Sequence, residues 1–216
     1  MYKTVLFDLD GTITDSEPGI IACVQHALRQ FGIEVEDPKT LRPFIGPPLR
    51  DSFRAYFHMT PEEAEQATEF YRQRYAPIGK FECAVYPGIP ELLRRLHEAG
   101  RTVILATSKP EGFAREILEH FDLAQYFDLI GGATLDGSRD TKEAVLQYIL
   151  DSGRIPDRQD AVMIGDTKFD MIGAAAFSLP AVGVLYGFGS RQELEENGAL
   201  FLAEDAAELE RYLFEE

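Results

Sequence analysis

The sequence predicts an α/β fold: a doubly wound parallel sheet with a small all-helical segment inserted after its first strand. Three observations carry this. Short apolar runs of strand type alternate with stretches whose apolar residues recur every three to four positions, as strand–helix–strand units do. The strand-type runs are apolar at successive positions, which suits a sheet covered on both faces. Between residues 16 and 83 such runs disappear while helical spacing continues.

The first strand, Val5-Leu6-Phe7, runs into Asp8-Leu9-Asp10-Gly11-Thr12. Gly11 allows a tight turn. Residues two apart in an extended chain share a face, so Asp8 and Asp10 point together into the crevice at the strand's carboxyl end, where open α/β sheets bind ligands. Asp is common in turns but depleted in strands, so Asp8 is harder than Asp10 to explain as a turn residue. A calcium loop counted from Asp8 needs Gly at its sixth position and Glu at its twelfth. Ile13 and Gly19 stand there, and that reading fails.

Ser16 and Pro18 suit a helix start, with Ile20, Val24 and Leu28 at spacing four and Gly32 at the end. A second helix after Pro47-Pro48 carries Leu49, Phe53 and Phe57. A third opens on the capping box Thr60-Pro61-Glu62-Glu63 and carries Ala64, Ala67, Tyr71 and Tyr75. Residues 16–83 are therefore expected to form a helical domain, and residues 1–15 and 84–216 the core. In the core, Leu92, Leu93 and Leu96 mark a helix, 102–106 a strand, and Phe113, Ile117 and Phe121 a helix after Pro110. Leu129-Ile130 is a short strand, and Asp140 is placed to cap a helix bearing Val145, Leu146 and Ile149. A strand at 161–164, an Ala-rich helix, a last strand at 181–185 and a closing helix at 209–214 complete a Rossmann-like core.

Composition narrows the partners. The chain has 216 residues with 37 acidic against 21 basic, a net charge of −16. A nucleic-acid backbone needs many Lys/Arg contacts, so no nucleic acid is expected. Cys23 and Cys83 lack CxxC spacing and read as small apolar residues of a reducing compartment. No apolar run nears the ~20 residues a membrane span needs, and the start is too short for a signal-peptide core. A cytoplasmic monomer or homodimer with no membrane partner is expected.

Strand carboxyl ends of a parallel sheet share an edge, so four polar stretches should converge there: Asp8 and Asp10; Thr107-Ser108-Lys109; Asp136 with Lys142 nearby; and Gly165-Asp166 with Asp170. Asp166 and Asp170, four apart, either cap a helix or face the edge. With Asp8 and Asp10 they would crowd four carboxylates together, and such a cluster repels itself unless a cation neutralises it. Mg²⁺ takes oxygen ligands and keeps waters for a phosphate, so Mg²⁺ is the expected cofactor. If Asp140 is the cap, Lys142 lies in its helix's first turn and opposes the macrodipole by roughly 0.3–1 kcal/mol, a cost that points to a task. Lys109 is the rival for that task. Thr107 and Ser108 can cap a helix, donate to a phosphate at its N-terminus, or both. Gly46 lies in a defined Gly-Pro-Pro loop, and Arg50 just beyond it can bind a second anionic group. Gly46, Arg50 and Lys109 are the candidate substrate-selecting residues.

These residues resemble the haloacid dehalogenase superfamily over nearly the whole chain. Its hhhDxDGT motif is present from Asp8 to Thr12, its strand-end Thr/Ser matches Thr107, its lysine best matches Lys142, and its GDxxxD matches Gly165 to Asp170. The helical segment sits where the family's type 1 cap sits. The nearest likeness is to phosphoglycolate-phosphatase-like members, with 5′-nucleotidases close by; Ser108 departs from the Asn often found there. The resemblance implies that Asp8 is a nucleophile forming an aspartyl-phosphate. It implies that Asp10 protonates the leaving oxygen and then activates water. Mg²⁺ would be held by Asp8, the Asp10 carbonyl and Asp166, with Asp170 close by, while Thr107, Ser108 and Lys142 bind phosphoryl oxygens. Asp10 argues against dehalogenation. The expected function is Mg²⁺-dependent hydrolysis of a small phosphomonoester. A 5′-nucleotidase or a phosphomutase would use the same residues. A non-catalytic phosphate-binding or receiver-like protein would be marked by loss of Asp8 or Asp10, and both are present.

Overall fold

The computed structural model describes residues 2–215. The chain opens with β1 (Thr4–Phe7) and the short β2 (Thr14–Asp15), then runs through α1 (Glu17–Arg29), α2 (Leu49–Phe57) and α3 (Pro61–Tyr75) to β3 (Ala84–Val85). There follow α4 (Ile89–Glu98), β4 (Thr102–Pro110), α5 (Glu111–His120), β5 (Leu129–Ala133), α6 (Lys142–Asp151), β6 (Ala161–Gly165) and α7 (Lys168–Ala176). The chain ends with β7 (Ala181–Val184), α8 (Arg191–Glu196), β8 (Phe201–Ala203) and α9 (Ala206–Glu215). It divides into two compact units, Met1–Asp15 with Val85–Glu216, and Ser16–Ala84.

The first unit is built on a six-stranded sheet in the order β5-β4-β1-β6-β7-β8. Every ladder is parallel. β1 lies inside, and the chain winds outward first through β4 and β5, then through β6, β7 and β8. That is a doubly wound α/β sheet. Register fixes the edge that matters: Phe7 pairs with Leu105 on one side and Ile164 on the other. The residues that follow these three positions therefore leave the sheet along one rim. Val5, Leu6, Phe7, Ile104 and Met163 are fully buried. Each large side chain so buried contributes about 1.5–3 kcal/mol. One face packs Leu6, Ile104 and Met163 against Val145 and Leu146 of α6 and Met171 of α7.

In the second unit, α1 buries Ile20, Ile21, Val24 and Leu28, and α3 buries Ala64, Ala67, Tyr71 and Tyr75. The Thr60–Glu63 capping box forms in both directions: the Glu63 N–H donates to Thr60 Oγ1 at 3.2 Å, and the Thr60 N–H to Glu63 Oε2 at 2.8 Å. Phe44 meets Phe53 edge-on at 5.0 Å.

The structure departs from sequence expectation at four places. α6 is capped by Thr141, whose Oγ1 accepts the Ala144 N–H at 3.2 Å; Asp140 lies one residue too early and is exposed. Ser16 occupies the N-cap position of α1, but its backbone is not extended and its hydroxyl makes no capping bond. β4 continues past residue 106 to Pro110. A further strand, β8, extends the sheet beyond β7. Among the described residues, no helix is long and apolar enough to cross a membrane.

Candidate active site

The rim of the sheet takes its shape from the turn after β1. The Asp8 N–H donates to the Ile164 carbonyl at 2.9 Å, which carries the β1–β6 ladder one residue past β1. The next residues fold back at once: the Ile13 and Thr14 N–H groups both reach the Leu9 carbonyl at 2.9 Å. Gly11, with φ +85°, makes this possible. A β-carbon there would lie 2.0 Å from Asp166 Oδ2, so the position needs glycine for space as well.

Three carboxylates and a lysine meet beside this turn. Lys142 stands at the start of α6, and its Nζ donates to Asp8 Oδ1 at 2.8 Å and to the Ala106 carbonyl at 2.7 Å. The same ammonium lies 2.8 Å from Asp170 Oδ1. Asp166 and Asp170 are buried, and each of Asp8, Asp166 and Asp170 offers an oxygen within 4.8 Å of the others. Asp170 Oδ2 accepts the Thr167 N–H at 3.1 Å and its hydroxyl at 3.2 Å. The capping role weighed for this pair thus falls to Thr167 and Asp170, and Asp166 takes no part in it. Asp166 Oδ2 accepts the Phe188 N–H at 2.7 Å. Asp166 Oδ1 is buried with no hydrogen-bond partner among the described residues.

Burial pushes the Asp8 carboxyl up to about 6; Lys142 pulls against this, while Asp170 and Asp10 add to it. Asp166 is raised well above the ordinary carboxylate range, by burial first and then by Asp170 and Asp8. Burial opposes the Lys142 charge, but Asp170 and Asp8 outweigh it and raise the ammonium above its usual value. One ammonium against three carboxylates leaves the cluster short of positive charge. The donors are all oxygen, and one buried oxygen stands unpartnered. A hard divalent cation fits these residues.

A second ion pair adjoins the first. Lys109 Nζ donates to Asp10 Oδ1 at 2.6 Å, and the Lys109 N–H donates to Thr107 Oγ1 at 3.2 Å. Thr107 is buried and Ser108 half-buried at the same end of β4. The two lysines therefore divide the acids: Lys142 serves Asp8 and Asp170, and Lys109 serves Asp10.

One residue of the core singled out in the sequence does not reach this rim. Asp136 is exposed in the turn after β5, where its carboxylate accepts the Ser138 N–H at 3.0 Å and hydroxyl at 2.8 Å. The turn closes on itself through the Thr134 N–H to the Arg139 carbonyl at 2.8 Å, which spends Asp136 locally. Gly46, with φ +103°, and Arg50 belong to the second unit. There Arg50 is ion-paired with Glu65 through Nε and through Nη2, the latter at 2.9 Å. Sequence reading missed two backbone groups, the Ala106 carbonyl and the Phe188 N–H. The glycines on either side of Phe188 were the available signal for the second.

The family model described as haloacid dehalogenase-like hydrolase matches residues 5–184. The chain belongs to this family. The solved structure of a predicted phosphatase from Clostridium acetobutylicum is similar, with 46% identity, full coverage of both chains and a TM-score of 0.96. A 5′-nucleotidase of Pseudomonas aeruginosa is 42% identical over 98% of this chain and 96% of its own length. The tyrosine-protein kinase PtkA of Mycobacterium tuberculosis is 41% identical over 87% of this chain, which matches 63% of the kinase. A phosphoglycolate phosphatase of Vibrio parahaemolyticus is 28% identical over 96% and 94% of the two chains. Within the haloacid dehalogenase-like hydrolases, then, the chain falls among phosphate-ester enzymes.

Proposed function

We propose that this chain is a Mg²⁺-dependent phosphatase of small phosphomonoesters, working through a phosphorylated aspartate. The observation that carries the reading is Asp8: a buried carboxylate at a strand end, with Lys142 on one oxygen and two further carboxylates within 4.8 Å. With Oδ1 engaged by Lys142, Oδ2 is the oxygen that attacks phosphorus. The bond from phosphorus to the ester oxygen breaks, and that oxygen takes its proton from Asp10. Asp10, now a carboxylate, takes a proton from water as the water oxygen bonds to phosphorus and the Asp8–phosphorus bond breaks. The Lys109 ammonium, 2.6 Å from Asp10 Oδ1, holds the Asp10 side chain in place for both steps. Asp8, the Asp10 carbonyl and Asp166 would hold Mg²⁺, with Asp170 close by. Bound there, the metal would supply charge that stabilises the transferring phosphoryl group. Thr107, Ser108 and Lys142 orient its oxygens, since phosphoryl transfer is mostly positioning and charge stabilisation. The helical unit takes the cap's role, with Gly46 shaping its loop and Arg50 selecting among substrates.

The 5′-nucleotidase relative favours nucleoside monophosphates as one substrate class, so they form an arm of the test. Free phosphate is measured from a panel of sugar phosphates, phosphoglycolate and nucleoside monophosphates, with Mg²⁺ or with a chelator. Release that needs Mg²⁺ and is lost in Asp8→Asn is expected. Asp8→Asn turnover at the parent's rate overturns the nucleophile. Transfer of phosphate from ester to acceptor without release to water makes the chain a mutase or kinase instead.

A further inference from the structure

Asp166 holds its two oxygens unequally. Oδ2 accepts the Phe188 N–H at 2.7 Å, while Oδ1 is buried and unpartnered among the described residues. The donor belongs to Tyr186-Gly187-Phe188-Gly189, the loop that leaves β7. That loop lies directly on two strand-end turns. A β-carbon at Gly187 would sit 2.4 Å from Asp166 Cβ and 2.4 Å from the Gly11 carbonyl oxygen. One at Gly189 would sit 2.0 Å from the Asp166 carbonyl oxygen. Neither glycine has a positive φ, so both are demanded by close approach and not by backbone conformation. At the loop's start, Tyr186 Oη donates to the Thr12 carbonyl at 3.1 Å, and its ring packs on Tyr86 at 4.8 Å.

We propose that residues 186–189 are a positioning clamp that ties the turn after β1 to Asp166 and leaves Asp166 Oδ1 as the oxygen offered to a divalent cation. The inference rests on the metal-dependent reading above. The Phe188 N–H stops the carboxylate from rotating, and the Tyr186 hydroxyl anchors the loop to the turn that carries Asp10. Tyr186 is thus a positioning residue: it touches neither the cation nor the substrate. Groups that orient a metal ligand typically affect metal affinity by about 10–100-fold. Tyr186→Phe, which removes one oxygen two steps from the ligand, belongs at the lower end, about tenfold. Gly187→Ala, which displaces the loop from Asp166, belongs at the upper end.

The test is calorimetric titration of MgCl₂ into the metal-free protein, the Tyr186→Phe and Gly187→Ala variants, and Asp166→Asn. Binding by the parent, its loss in Asp166→Asn, and about tenfold weaker binding by Tyr186→Phe with Tm in chelator close to the parent's are expected. The Tyr186→Phe phosphatase should need more Mg²⁺ for half-maximal rate yet recover the parent's kcat at excess Mg²⁺. A merely structural role would lower Tm in chelator or depress kcat at every Mg²⁺ concentration. Parent-like Mg²⁺ affinity in Tyr186→Phe overturns the clamp while the metal reading stands. A parent that binds no Mg²⁺ overturns both. If Gly187→Ala does not fold, Tyr186→Phe alone decides.

Discussion

Lys142 is the residue whose surroundings are most constrained. It meets Asp8, Asp170 and the Ala106 carbonyl from inside the protein, at 2.7–2.8 Å. Removing one partner of a buried ion pair leaves the other charged and unpaired, at a cost of about 3–5 kcal/mol. Lys142→Met is therefore expected to lose that order of stability in urea unfolding. It should also lose about a hundredfold or more in kcat, as loss of a preorganised charge at a transferring group does. The pH dependence fixes the interpretation. Burial already lifts Asp8 to about 6 from an ordinary 3.8, so the folded state binds this proton more tightly than the unfolded chain. Ionising Asp8 thus costs folding free energy as pH rises through about 6, and lowering pH relieves it. Without the ammonium the carboxyl rises further, so the Lys142→Met deficit should be largest near neutrality and shrink in acid. A deficit independent of pH would mean that lost packing of the lysine stem, and not lost charge, is responsible. Asp8, Asp10 and Asp166 were legible in the sequence because each follows an apolar run that can only be a buried strand. Asp136 followed one too, and failed because a turn with Ser138 consumed its oxygens before the rim was reached.

Lys142 reaches the rim only because α6 and α7 approach closely, and Gly173 sets that approach. A β-carbon on Gly173 would lie 2.6 Å from Lys142 Cγ and 3.2 Å from its Cβ. Two effects oppose each other in Gly173→Ala. Alanine in a helix interior is favoured over glycine by about 1 kcal/mol. Against that, the clash is with the root of a side chain pinned at its far end, so the helices must part or the ammonium must leave Asp8. The clash should decide activity, and the propensity should soften the effect on stability. kcat is expected to fall several-fold with only a small change in the urea midpoint. A gain in stability with kcat unchanged would show that α6 has slack. The elements themselves were largely readable, for physical reasons that vary along the chain. The inner strands announce themselves by runs of successive apolar residues, Val5–Phe7 in β1 and Val103–Ala106 in β4, as suits a sheet covered on both faces. β8 has only Phe201, Leu202 and Ala203 to declare it, too few for any period to show. The start of α6 slipped by one residue because Asp140 and Thr141 are both capping types, and only the backbone of Thr141, extended at φ −105° and ψ 159°, chooses between them. The Phe188 N–H is a backbone donor, for which no side chain speaks.

For the whole molecule, charge is the dominant fact. The chain carries −16, and its most buried acids, Asp166 and Asp170 with Asp8 beside them, sit in one cluster with a single lysine. Such a molecule should gain stability from any salt through screening, but far more from a cation that enters the cluster. A ligand that binds only the folded state stabilises it by about 2.7 kcal/mol at a hundred times its dissociation constant. For a chain of this size each kcal/mol moves Tm by about 2–4 °C, so Mg²⁺ at that excess should raise Tm by about 5–11 °C. KCl at matched ionic strength supplies the screening alone and is expected to give much less. Asp8 at about 6 and Asp166 raised well above its ordinary range both bind protons that the cation must displace. Acid therefore competes with metal: the Mg²⁺ increment in Tm should be full above about pH 7 and fade as pH falls through about 6. In chelator the sign reverses for this cluster, because protonating Asp8 and Asp166 relieves the repulsion that the metal would otherwise neutralise. Scanning calorimetry across that pH range, with Mg²⁺, KCl or chelator, separates these contributions. If KCl reproduces the Mg²⁺ increment at every pH, the stabilisation is screening of the acidic surface, and the carboxylate cluster does not hold the ion.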